Sequence, residues 1–178
     1  AGGLRHDRGG GLTAAILGGT FNPVHIGHLC LAEEVRSTFG YDRVILVPAA
    51  VPVHKDASPV IPGRHRLAML RLAVAGSDGL LVDDGELVRG GPSWTVDTVV
   101  ELVPRYGITG RPGLVIGDDL AAGFSAWKDA ERLAGMVDLI ELAPAKAEVA
   151  PLIVEPRRPE VLVRTSARPA PGDEFEGV

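Results

Sequence analysis

Short apolar runs alternate with helically spaced stretches from Leu12 to Leu142. Residues 12–17 are nearly all apolar, as a parallel strand covered on both faces would be. From about Ile26 to Thr38, Leu29, Ala32, Val35 and Phe39 recur at helical spacing, Glu33, Glu34 and Arg36 face water, and Gly40 supplies the stop. Residues 44–47 form a second strand running into Pro48, and residues 63–75 a helix with Leu67, Leu70 and Val74 on one side. Residues 80–82 read as a third strand. Ser93 or Thr95 then caps a helix whose apolar face is Val96, Val99, Val100 and Val103. A strand over 113–116, a helix over 127–134 with Leu133 inward, a fifth strand over 137–142 and a short sixth over 161–163 complete the pattern. Strands in alternation with helices predict an α/β domain built on a parallel sheet.

Composition narrows the class. The chain has 178 residues, enough for one such domain and short of two full ones. Residues 1–11 read as a flexible glycine-rich tail without an apolar signal core, 12–165 as the domain, and 166–178 as an irregular end. Formal net charge is −5, from 18 basic and 23 acidic residues, which argues against a broad nucleic-acid surface. No apolar stretch approaches a membrane span, so no membrane association is expected. The single cysteine, Cys30, forms no internal disulfide, fits a reducing, cytoplasmic compartment, and reads as a packing residue.

The chemistry concentrates in Gly18-Gly19-Thr20-Phe21-Asn22-Pro23-Val24-His25-Ile26-Gly27-His28. This order is a strand end, a tight turn and a helix start. Glycines let a ligand approach the backbone, and unpaired N–H groups of the first helical turn attract anions. His25 and His28, three apart, share one face if both lie in that turn. On spacing alone the stretch is either a phosphate site or an ordinary glycine turn with two surface histidines. His54 and Lys55 lie in the loop after the second strand, where open α/β sheets bind ligands. Arg64 and Arg66 stand near the start of the next helix, where positive charge favours a nearby anion. The acidic run Asp83-Asp84-Gly85-Glu86 reads as a solvated strand end. The two histidines lack a third and fourth ligand at metal spacing, so no protein metal site is expected.

Gly-Gly-Thr-Phe-Asn-Pro-x-His-x-Gly-His resembles the signature of nicotinate-nucleotide adenylyltransferases, within the superfamily that shares His-x-Gly-His. Ser93-Trp94-Thr95-x-x-Thr98 is similar to a second signature of that group, and Asp119 with Trp127 to a third region, Gly-x-Asp followed by tryptophan. The resemblance implies a Rossmann-like parallel sheet with helices on both faces, of nucleotidyltransferase type. It implies that Gly18, Gly19, Thr20, Phe21, His25, His28 and Lys55 meet ATP phosphates, with His25, His28 and Lys55 catalytic. It places Ser93, Trp94, Thr95, Asp119 and Trp127 around nicotinate mononucleotide. Arg64 with Met69 resembles an arginine and methionine that the family places on this helix, in a mainly structural role.

The implied reaction is transfer of AMP from ATP to nicotinate mononucleotide, releasing pyrophosphate, in NAD biosynthesis. Mg²⁺ accompanies ATP, and a homo-oligomer is left open. The alternatives are an adenylyltransferase for nicotinamide mononucleotide or phosphopantetheine, or a nucleotide-binding protein with a degraded site. The family's C-terminal signature, Ile-Ser-Ser/Thr-x-x-x-Arg, has only Arg164-Thr165-Ser166-Ala167-Arg168-Pro169 at its depth, with too short a spacing. A truncated chain, or one joined across missing residues, would account for that.

Overall fold

Five of the apolar runs become strands: β1 (Ala14–Gly19), β2 (Arg43–Pro48), β3 (Leu80–Val82), β4 (Gly113–Gly117) and β5 (Asp138–Leu142). The computed structural model describes residues 11–52 and 61–142, so the expected strand over 161–163, the 164–169 segment, the C-terminal end and residues 1–10 of the N-terminal tail lie outside the described residues. All strand pairs are parallel, in the order β3-β2-β1-β4-β5. Helices α1 (Ile26–Phe39) and α2 (Gly63–Ala73) follow β1 and β2. The short α3 (Gly85–Arg89) and α4 (Thr95–Tyr106) separate β3 from β4, and α5 (Asp118–Ala121) and α6 (Ala130–Met136) separate β4 from β5.

The central runs are nearly continuously apolar because both sheet faces are covered there, whereas edge strand β5 carries Asp138 and Glu141. Side chains alternate along each strand. Ile16, Ile45, Val47, Leu114 and Ile116 meet Val96, Val99 and Leu102 of α4 and Leu133 of α6. Ala15, Leu17, Val44, Leu46 and Val115 meet Ala32 and Val35 of α1 and Leu70 of α2. Full burial of one such aliphatic side chain contributes about 1.5–3 kcal/mol. The parallel sheet with helices on both faces is the expected architecture. Gly40, at φ 74°, ends α1 in the left-handed conformation that a side chain would resist.

Several local expectations are corrected. β1 starts at Ala14 and extends through both glycines, because Gly18 and Gly19 pair with Val47 and Pro48. Leu102, not Val100, completes the buried face of α4; Val100 is 41% exposed. No side chain of Ser93 or Thr95 caps α4, whose N-cap is Trp94. The helix expected over 127–134 starts late: a 3-10 turn, Phe124–Ala126, precedes an extended Trp127, and α6 begins only after Asp129 at φ 52° and runs to Met136. The acidic run expected to be a solvated strand end instead opens α3. Asp83 is 5% exposed there and accepts from the Gly85 N–H, Arg105 and Tyr106.

The strand order reverses beside β1: the chain leaves β1 for β2 on one side and later places β4 on the other. The crevice outside the carboxyl ends of β1 and β4 is therefore the ligand position expected of an open parallel sheet. Among the described residues, no helix is long and apolar enough to cross a membrane.

Candidate active site

At that crevice lies a cavity of about 140 Å³. Gly18, Gly19 and Thr20 supply its β1 side, and Val115 and Ile116 its β4 side. Ser93, Thr95 and Thr98 of the α4 entry, Glu86 of α3, and Trp127 enclose it further. The fold thus brings residues of the first glycine motif together with Ser93, Thr95 and Trp127, which stand more than 70 positions later in the chain.

The turn after β1 is anchored by Phe21. Its backbone is left-handed, at φ 47°, which is unusual for a bulky residue, and its side chain is 2% exposed. A Cβ at Gly19 would come within 3.1 Å of the Phe21 ring, so glycine leaves the space that the ring uses. The ring edge also meets His28, with centroids 4.9 Å apart. Asn22 Oδ1 accepts the Ile61 N–H at 2.8 Å, tying the turn to the approach to α2.

His25 is the N-cap of α1, and His28 lies one turn into it. Their rings stack with centroids 3.8 Å apart. The His25 N–H donates to His28 Nδ1 at 3.3 Å. No acidic residue occupies the first turn of α1, so no carboxylate competes for an anion there. Both imidazoles therefore stand at a helix start, where the dipole favours an anion, with the His28 N–H already donating to the His25 carbonyl at 3.0 Å.

Ser93 joins the exit of β2 to the entry of α4. Its Oγ accepts the Ala50 N–H at 2.8 Å, and its own N–H donates to the Val51 carbonyl at 3.0 Å. Trp94 packs on the core and carries Lys128 Nζ at 5.8 Å over its ring; the cavity wall is formed by its neighbours Ser93 and Thr95. Asp119 falls in α5, immediately after β4. Trp127 borders the cavity and contacts Phe124 at 5.3 Å between centroids. His54 and Lys55 lie outside the described residues.

Sequence reasoning missed two groups. Glu86, 7% exposed, reaches the cavity wall and accepts from Thr98 Oγ1 at 2.5 Å. Arg89 donates to the same Thr98 oxygen at 3.2 Å and pairs with Glu101 at 2.7 Å. The second group is Arg66. It is 2% exposed, while Arg64, expected to be the structural arginine, is exposed. Arg66 donates from Nε to the Ile61 carbonyl at 2.8 Å, from Nη1 to Thr20 at 2.7 Å and from Nη2 to Ala49 at 2.7 Å. Burial pushes its guanidinium below its ordinary pKa. The spacing carried a signal for it: Arg66 and Leu70 are four apart on one helical face, and two positions turn Arg64 to the other side.

Among the described residues, no group of three or more His, Cys, Asp or Glu side chains is placed to hold a metal ion. The cavity supplies amides, hydroxyls and one carboxylate against an apolar and aromatic wall, and the two imidazoles at the start of α1 stand outside its lining. Such a set can bind a phosphorylated, aromatic, hydroxyl-bearing ligand.

A family model described as cytidylyltransferase-like matches residues 16–167. A protein of Borrelia garinii subsp. bavariensis, named probable nicotinate-nucleotide adenylyltransferase, is 41% identical over 126 residues, which is 71% of this chain and 64% of that protein. One of the same name from Geobacter sulfurreducens is 42% identical over 146 residues, 80% of this chain and 65% of that protein. The chain thus spans less than two thirds of the length of these relatives. In fold it is similar to Plasmodium falciparum nicotinic acid mononucleotide adenylyltransferase solved with NaAD, at TM-score 0.57 and 13% identity, covering 76% of this chain and 77% of that one.

Proposed function

The chain belongs to the cytidylyltransferase-like family, and from that premise we propose that it stands on the branch of the nicotinate-nucleotide adenylyltransferases and transfers AMP from ATP to nicotinate mononucleotide. The carrying observation is the shared cavity: the glycine end of β1 with Thr20, and the Ser93, Thr95 and Trp127 wall, face one space at the switch point of the sheet.

In this reading a phosphate oxygen of the mononucleotide attacks the α-phosphorus of ATP. The bond from that phosphorus to the bridging oxygen breaks, and pyrophosphate leaves with the electron pair. The nucleophile is already anionic at neutral pH, so the protein needs neither a general base nor a covalent intermediate. Its task is positioning and charge stabilisation. Amides of the turn around Gly19 and Phe21, with the Thr20 hydroxyl, hold phosphate oxygens. His25 and His28 donate to oxygens that gain charge as pyrophosphate forms. Lys55 joins them from the loop after β2. Ser93, Thr95, the adjoining Trp94 and Asp119, and Trp127 receive the pyridine mononucleotide. Mg²⁺ belongs to the ATP complex, held through phosphates and water, as suits a site without a carboxylate cage among the described residues. A cytosolic setting is part of the proposal and rests on the reading of Cys30 as a reduced packing residue.

Pyrophosphate release tests the proposal. The chain is incubated with ATP, Mg²⁺ and, separately, nicotinate mononucleotide, nicotinamide mononucleotide and phosphopantetheine. Fastest release with nicotinate mononucleotide, together with the dinucleotide product, supports it. Preference for another acceptor reassigns the substrate, and ATP binding without release with any acceptor replaces the enzyme by a nucleotide-binding protein.

A further inference from the structure

We propose that Arg66 is a positioning residue, whose guanidinium fork locks the turn after β1 to the turn after β2 and thereby aims main-chain N–H groups of the site. The proposal rests on the adenylyl-transfer reading above.

Its three observed acceptors, Ile61, Thr20 and Ala49, are main-chain carbonyls on three separate segments. Among the described residues no carboxylate pairs with it. A buried guanidinium is costly, and a well-packed apolar side chain of similar volume often serves stability equally well. What an apolar residue cannot supply is a rigid planar fork that holds three oxygens in fixed directions.

Each held carbonyl orients the other half of its peptide. The Thr20–Phe21 and Ala49–Ala50 bonds are trans, so the C=O and N–H of each plane point in opposite directions. Arg66 on the Ala49 carbonyl therefore turns the Ala50 N–H the other way, and that N–H donates to Ser93 Oγ on the cavity wall at 2.8 Å. Arg66 on the Thr20 carbonyl turns the Phe21 N–H away from itself in the same manner, and among the described residues nothing accepts that N–H. One buried side chain thus orients an amide in the phosphate-binding turn and an amide that places Ser93. It does so without touching substrate.

Three full-chain variants test this. Arg66→Met preserves length and apolar packing, Arg66→Lys preserves charge without the fork, and Arg66→Ala leaves a space for free guanidinium. Turnover per folded molecule, ATP affinity and melting midpoint are measured for each. The expected result is that Arg66→Lys melts close to the unsubstituted chain yet loses at least tenfold in kcat/KM for ATP, as does folded Arg66→Met. Added methylguanidinium is expected to restore at least fivefold in Arg66→Ala and to leave the unsubstituted chain unchanged. If Arg66→Met or Arg66→Ala does not fold, the decision rests on Arg66→Lys. A folded Arg66→Lys with kcat/KM within threefold of the unsubstituted chain overturns the proposal. If the unsubstituted chain itself releases no pyrophosphate with any acceptor, the functional reading fails separately. Arg66 is then judged by ATP binding, where at least tenfold weakening in Arg66→Lys sustains its positioning role and unchanged affinity overturns it.

Discussion

The main-chain N–H of His25 donates to Nδ1 of His28 at 3.3 Å, so a neutral His28 ring carries its proton on Nε2. The hydrogen bond uses the backbone of the N-cap to choose the tautomer. Nε2–H is then the donor through which the role proposed for His28 toward a phosphate oxygen would act.

His28→Ala removes that donor and the acceptor for the His25 N–H together. Turnover is expected to fall about 100- to 1,000-fold, the usual effect of deleting one donor to a developing oxyanion. The KM for the mononucleotide should change far less. Steady-state pyrophosphate release checks this, and nearly normal turnover would remove His28 from the chemistry.

Thr98→Val is a shape-preserving test of the Arg89–Thr98–Glu86 chain. Thr98 is 4% exposed and donates to the buried Glu86 carboxylate. Valine fills the same space but leaves that acceptor without its donor, at a cost of about 1–3 kcal/mol. Glu86→Gln keeps an acceptor there and should lose less. Urea unfolding of the two variants compares them directly; equal stability of Thr98→Val and the unsubstituted chain would show that the bond contributes nothing net.

Selectivity should follow from Thr95 at the α4 entry, because the Ser93 and Trp94 N–H groups already donate to the Val51 and Pro92 carbonyls. The Thr95 N–H and hydroxyl can bond a pyridine carboxylate, whereas a carboxamide turns its own N–H donor toward one of them. Such a buried mismatch costs roughly 1–3 kcal/mol, or about five- to more than a hundredfold in selectivity. Trp127→Ala should weaken both mononucleotides and leave their ratio nearer to normal, because both rings can stack. Circular dichroism and a melting curve separate this from unfolding. Equal kcat/KM for the two acceptors in the unsubstituted chain would sink the nicotinate assignment.

Alkaline pH should unfold the protein through its two tyrosines. Burial, reinforced by nearby Asp138, pushes Tyr41 up to about 12. Burial, and then the hydrogen bond to Asp83, pushes Tyr106 up to about 12. In the unfolded chain each ionises near 10. Folding thus favours the protonated phenols: their contribution is complete below about pH 10 and is lost as pH rises from about 10 to 12. Absorbance of phenolate at 295 nm should rise steeply with loss of helical circular dichroism. A smooth titration centred near pH 10 in protein that stays folded would contradict it.

By itself the sequence determined the alternation of strand and helix, because both faces of the central strands are buried and those strands had to be largely apolar. It also determined that a tight turn and a helix start with two histidines follow the first strand, and that Gly40 stops the first helix. These are local properties, readable from spacing and from the few residues that tolerate a given backbone. Tertiary structure decided the pairings of buried polar groups. Asp83 looked like a solvated acid until Arg105 and Tyr106, more than 20 positions away, closed over it. Arg64 and Arg66 differ little as sequence. Spacing turns them to different sides of the helix, but only the arrival of carbonyls from Ile61, Ala49 and Thr20, the last 46 positions earlier, makes a buried fork of Arg66. Trp127 and Ser93 entered one cavity because the strand order reverses beside β1. Periodicity reports which way a side chain points from its own element. A hydrogen bond between distant segments depends on where the sheet sets those segments side by side.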